Sequence, residues 1–266
     1  MDMPVLSARL SPLVKSIWSI AGDAAQATLP GVVAPDSHIE FVFHLGTPWR
    51  MRIANQQRWT SQPHAFIYAQ RKGALRFEGE GPVSVVAFRV SPLVATRILK
   101  RSLEQHWDLA VPLHEFIGAE AEQMLAALSV RSSSEREVYL QAWISSRLAD
   151  WDSEDWATER LLEHLMWHMT SVSVEEAAAR LGWSTRSLRR HAEKHSSLSP
   201  KEVQLAGRHL RACALLREAP SLDITEIAGR VGFFDHAAFS HSFRERTGMT
   251  PSEFRRQDYA FYERHA

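Results

Sequence analysis

The chain has 266 residues, 45% hydrophobic and 23% charged, with 31 Lys/Arg balanced by 31 Asp/Glu. This is a globular composition with room for two domains. The single cysteine, Cys213, excludes an internal disulfide and a thiolate metal cluster. The absence of a signal-peptide pattern and of an apolar run of membrane-spanning length predicts a cytoplasmic protein with no membrane partner.

Residues 1–92 read as strands. Val5 to Leu10 and Lys15 to Ile20 are short β-prone runs, and Ala21 to Pro35 is loop-like. His38 to Leu45 alternates, with Ile39, Phe41, Phe43 and Leu45 on one face and His38, Glu40, Val42 and His44 on the other. Trp49 to Ile53, Ala65 to Gln70, Gly73 to Glu78 and Val83 to Val90 are further strand candidates. Turn signals at this spacing predict a small antiparallel barrel or sandwich.

From Leu93 the period becomes helical. Val94, Ile98 and Leu99, then Ile117, Met124, Leu125 and Leu128, are spaced for buried helix faces, with Val111 to Leu113 as a link. Val138 to Leu148 predicts another helix, with Tyr139, Trp143 and Ile144 inward. Residues 93–150 therefore form a helical connector, its apolar side serving either self-association or packing on its own barrel. The acidic run Asp150 to Asp155 marks a boundary, and Trp156 to Met169 opens a C-terminal helical domain over residues 151–260. The fold class expected is α+β.

The C-terminal part contains one unit twice. The first copy runs from Ser173 through Gly182 to Ser184 and ends at Ser199-Pro200; the second runs from Asp223 through Gly232 to Asp235 and ends at Thr250-Pro251. The offset is 50 up to the glycine and 51 after it, so the second turn holds one extra residue. Ser173 with Glu176, and Asp223 with Glu226, have capping-box spacing. The glycines supply a positive-φ turn, Ser184 and Asp235 cap a second helix, and a proline at the first position opens a third. The unit is a helix-turn-helix, at about 173–196 and 223–247. Residues 171–256 carry 14 Lys/Arg against 10 Asp/Glu, a net +4 that leaves −4 on the remainder, a mild mark of a nucleic-acid face.

This stretch resembles the DNA-binding domain of the AraC/XylS family of bacterial transcription regulators. The resemblance lies in Ile224, Ile227, Ala228, Gly232, Phe233, Asp235, Phe239, Phe243, Gly248, Pro251, Phe254 and Arg255 of the second copy. Between the copies it includes Arg208, Ala212, Leu215 and Leu216. Ala192, Ser197 and His241 depart from the family pattern, which has a large apolar residue, a glycine and an arginine there. The resemblance implies a cupin-like N-terminal barrel and double-stranded promoter DNA as partner. A small-molecule effector, a second copy of the chain and, for an activator, RNA polymerase are further candidates; no cofactor is implied.

The second helix of each unit is the expected recognition helix, entering the major groove. In the first, Leu188 and Ala192 face the core, leaving Thr185, Arg186, Arg189 and Arg190 toward DNA. In the second, Phe239 and Phe243 face the core, leaving His236, Ala237, Ser240, His241 and Arg244 outward. One enzymatic alternative competes. His38, Glu40 and His44 share a strand face with metal-ligand spacing, although their order differs from the cupin metal pattern and an edge strand's solvent face explains them more simply. His64, Tyr68, Trp49 and Arg76 are read either as pocket or as surface residues. A third reading is an interaction protein whose helix-turn-helix units have lost DNA binding.

Overall fold

The computed structural model describes residues 14–22, 33, 38–53, 56–69, 74–101, 103, 105–106, 108–150, 157, 160–161, 164–165, 168–196 and 198–256. Among these, the strands form two antiparallel sheets. The larger takes β1 (Val14–Gly22), β7 (Val83–Val90), β2 (Ile39–His44), β5 (Ala65–Ala69) and β8 (Ala110–Pro112), in that order. The smaller takes β4 (Thr60–Ser61), β3 (Arg50–Ile53) and β6 (Leu75–Glu78). The expected run Val5 to Leu10, and most of the expected loop Ala21 to Pro35, lie outside the described residues. Ala21 and Gly22 belong to β1, paired with Ser84 and Val83, and are not loop.

The large sheet is covered on both sides. Ile39, Phe41, Phe43, Ile67, Val86, Phe88 and Val90 pack against a helical layer made of α1 (Pro92–Leu99), α2 (His114–Ile117), α3 (Glu120–Ser129) and α4 (Ser133–Arg147). Phe41 and Phe88 stack with centroids 4.4 Å apart, and Trp143 of α4 closes over both. The opposite face, with Trp18, Val42, Phe66, Val85 and Ala87, meets Trp49, Met51 and Leu75 from the small sheet side. The connector therefore packs on its own sheet, and it also contributes β8 to that sheet. Val111, expected in a link, pairs with Ile67.

β2 lies between β7 and β5, so the expectation of an edge strand with a solvent face fails for Glu40 and His44. Both point into the space between the sheets. His44 is buried, its Nε2 2.8 Å from the Gln62 Oε1, its ring 5.3 Å from Trp49 and 5.9 Å from Phe66. The pairing register puts Ser16, Arg89, Glu40 and Tyr68 in one row across four strands. Arg89 approaches Glu40 at 3.4 Å. The buried hydroxyls of Ser16 and Tyr68, and the Trp49 indole N–H, have no hydrogen-bond partner. His64 is exposed and Arg76 half-buried, so these two do not join that interior group. Among the described residues no group of three or more His, Cys, Asp or Glu is placed to hold a metal ion.

Burial pushes the Glu40 carboxyl from about 4.5 up to about 7, against the opposing effects of the Trp18 hydrogen bond and the charge of His38. Between those values the folded chain keeps a proton that the unfolded chain has lost, so this group makes stability fall as pH rises. Burial pushes His44 from 6.5 down to about 4, and lowers His209 as well. There the unfolded chain binds more protons, so stability rises with pH through that window. The slopes oppose each other between pH 4.5 and 6.5. Glu40→Gln removes the falling one. Urea unfolding of this variant should show stability rising with pH more steeply than in the parent, by up to about 1.4 kcal/mol per pH unit; parallel curves would contradict the upward shift of the half-buried Glu40 carboxyl.

Candidate nucleic-acid interface

The repeat forms as two helix-turn-helix units. The first is α5 (Val174–Arg180) and α6 (Thr185–Ser196); the second is α8 (Ile224–Arg230) and α9 (His236–Thr247). α7 (Pro200–Glu218) joins them, and α10 (Pro251–Arg255) follows. Ahead of α5, Leu165 and Met169 are buried and Leu161 is partly buried in the same small core, as expected of the preceding helix; Leu162 and Met166 lie outside the described side chains.

Local chemistry explains each boundary. The Ser173 hydroxyl accepts from the Glu176 N–H at 3.0 Å, and the Asp223 carboxylate from the Thr225 N–H at 2.7 Å. The first capping box is thus half made and the second is not made at all, since Asp223 takes the N–H of the second helical residue and not that of Glu226; Glu176 pairs with Arg180, and Glu226 with Arg230, one turn on. Each such i,i+4 pair stabilises a helix by about 0.2–0.5 kcal/mol and engages the carboxylate that would otherwise reach back to the cap. Complete boxes form where no such arginine follows, at Ser199 with Glu202 and Thr250 with Glu253, and also at Ser132 with Glu135. Gly182 and Gly232 turn the chain at φ 72 and 87. Ser184 and Asp235 then accept from the N–H groups of Ser187 and Ala238, at 3.1 and 2.7 Å.

These caps set the rotation of α6 and α9. In α6, Leu188 is buried, while Arg186, Arg189 and Arg190 are exposed and Thr185 is half-buried. In α9, Phe239 and Phe243 are buried, while His236, Ala237, His241 and Arg244 are exposed. Ser240 is half-buried, its hydroxyl 3.4 Å from the His236 Nε2. Seven of the nine predicted side chains are thus exposed, and Thr185 and Ser240 are half-buried. Sequence reasoning did not select Phe234, the extra residue of the second turn, which is fully exposed. The change of offset after Gly232 was the available signal.

Leu188 and Ala192 are both buried but in different cores. Leu188 joins Leu165, Met169, Ala177, Ala178 and Val203 in the core of the first unit. Ala192 joins the core between the large sheet and its helices, because α1 lies against α6. A large residue at 192, usual in the resembled family, would hold α1 away. A second contact ties the other unit to the sheets: the Ala74 N–H donates to the Thr247 carbonyl at the end of α9, at 2.8 Å.

Residues 177–257 match the family described as "Helix-turn-helix domain". The Msm operon regulatory protein of Streptococcus mutans serotype c is 40% identical over 88 residues, covering 33% of this chain and 31% of that protein. The HTH-type transcriptional activator RhaS of Escherichia fergusonii is 32% identical over 140 residues, half of each chain. A solved AraC-type DNA-binding regulator from Chromobacterium violaceum is 27% identical, covering 37% of this chain and 92% of that one, with TM-score 0.34. Residues 177–257 thus form a helix-turn-helix domain of the matched family. The chain spans half or less of the length of these two curated relatives. Residues 7–112 match a second family, described as "Domain of unknown function (DUF6597)".

The seam at Ala192 gives a prediction. Ala192→Leu adds volume where α1 meets α6 and should destabilise the chain by about 1–3 kcal/mol in urea unfolding. The same exchange at exposed Ala179 should change stability by less than about 0.5 kcal/mol. Equal effects at both positions would show that α1 does not press on Ala192.

Proposed function

We propose that the chain is a sequence-specific DNA-binding transcription regulator of the cytoplasm, and that its working partner is double-stranded promoter DNA. Residues 1–92 act as sensor, 93–150 as connector and 151–260 as the DNA-binding domain. The observation that carries the reading is the pair of helix-turn-helix units on one shared helix, each with its outward face open. The first face offers Arg186, Arg189 and Arg190, suited to bidentate contact with guanine. The second offers His236, Ala237, Ser240, His241 and Arg244. Relatives described as an operon regulatory protein and a transcriptional activator support the same reading.

An effector would bind between the two sheets, where the row of Ser16, Arg89, Glu40 and Tyr68 provides polar groups among apolar side chains. The two unpartnered hydroxyls favour a ligand that hydrogen-bonds. A second copy of the chain would meet the connector at exposed Val130 and Val138. In an activator, RNA polymerase would be a further partner.

The test is fluorescence anisotropy on DNA sites selected by the purified protein. Removing a base-reading arginine, by Arg186→Ala or Arg190→Ala, should weaken the selected site by about 1–3 kcal/mol and relax discrimination at one base pair. A phosphate-contacting arginine would instead weaken all sequences alike and reduce the salt slope by about one. Unchanged binding in the double variant would contradict the reading.

A further inference from the structure

The two units differ by one residue in their turns, and that residue is Phe234. Its neighbour Phe233 turns inward, with its ring 5.4 Å from Phe239 and the Arg208 guanidinium 5.5 Å from its centroid. Phe234 lies wholly in solvent, at 106% relative exposure. It immediately precedes Asp235, the residue that caps α9. Ala237 and Ala238, in the first turn of α9, are exposed as well. The entrance of the second recognition helix therefore presents a phenyl ring and two methyl groups beside the capping carboxylate of Asp235 and the His236 imidazole. At the positions matching Ala237 and Ala238 the first carries Arg186 and Ser187, with Arg189 and Arg190 one turn further on.

Folding leaves the Phe234 ring in water, so its burial can come only from a partner. Its position adjoins the outward face of α9, and in the major groove the exposed apolar group is the thymine C5-methyl. Phenylalanine and alanine side chains are the types that pack on it. We propose that Phe234, with Ala237 beside it, reads a thymine methyl in the half-site of the second unit. That half-site is then chosen for thymine, whereas the arginines of the first unit choose guanine. This inference rests on the regulator reading above and assigns a specificity to its weaker helix.

The experiment replaces thymine by deoxyuridine, one position at a time, in a selected site, and measures affinity for the parent, Phe234→Ser and Phe234→Leu. Deoxyuridine keeps every hydrogen-bonding group and lacks only the methyl. The parent should lose roughly fourfold at one or two thymines of the second half-site, the worth of one buried methyl. Phe234→Ser should bind the thymine site about as weakly as the parent binds the deoxyuridine site, and be indifferent to the replacement. Phe234→Leu should keep most of the penalty. Since Phe234 makes no core contact, unchanged thermal unfolding of both variants is expected. A penalty that persists undiminished in Phe234→Ser, or a parent that binds both DNAs equally, overturns the inference while leaving the regulator reading standing. A parent that selects no site overturns both.

Discussion

What the two helix-turn-helix units can do together depends on the helix they share. α7 is 19 residues long, about 28 Å at 1.5 Å per residue. Val203 belongs to the core of the first unit, and Ala212, Cys213 and Leu216 belong to that of the second. Its polar residues also reach outward from the helix. The Gln204 amide donates to the carbonyls of Met169 and Val172, the Arg208 guanidinium donates to that of Thr170, and the Arg208 cation lies over Phe233 of the second turn. One helix is thereby fixed in two cores, and the units cannot rotate about it independently. In the second core Phe239, Phe243 and Phe254 interlock at 5.3 to 5.6 Å between ring centroids, which holds α9 and α10 to the same helix. Cys213 lies in that core, its thiol pushed up to about 12 by burial, and serves as a small packing residue.

The second constraint is the attachment of both units to the sheets. α1 approaches α6 at Ala192, and the chain before β6 meets the end of α9 at Ala74. Both contact points are alanines, and small side chains let backbones come close. A ligand that altered the sheet interior would act on the recognition helices through these seams, provided its affinity differed between two arrangements. The polar row lies on the other face of the sheet that carries α1. Ser16, Arg89 and Glu40 lie on strands whose opposite face carries Phe88, Phe41 and Val90, the residues against which the connector helices pack.

The features legible in the sequence were those written locally. Ser173, Gly182, Asp223 and Gly232 act within a few residues of themselves, so caps and turns could be placed before any tertiary structure was known. Strand alternation gave the faces of β2 for the same reason. What the pattern did not contain was the identity of neighbours across the chain. Whether β2 is central or at an edge depends on β7 and β5 arriving on either side. Whether Val111 is link or strand depends on Ile67. Ala192 departs from the family's large apolar residue for a reason found in α1, its partner some ninety residues away in sequence. The half-made box at Ser173 and the unmade one at Asp223 leave Glu176 and Glu226 to Arg180 and Arg230, a pairing that capping-box spacing alone does not decide.

The central claim is that two recognition helices on one rigid spine read successive turns of one DNA face. Selection of binding sites from fragmented genomic DNA by the purified full-length chain tests it most directly. The account predicts a bipartite site with half-sites one helical turn apart, about 10 base pairs centre to centre, the two halves differing in sequence because α6 and α9 present different chemistry. Selected sites with a single half-site, or with two halves at variable spacing, would contradict it, because a spine fixed in both cores allows only one separation.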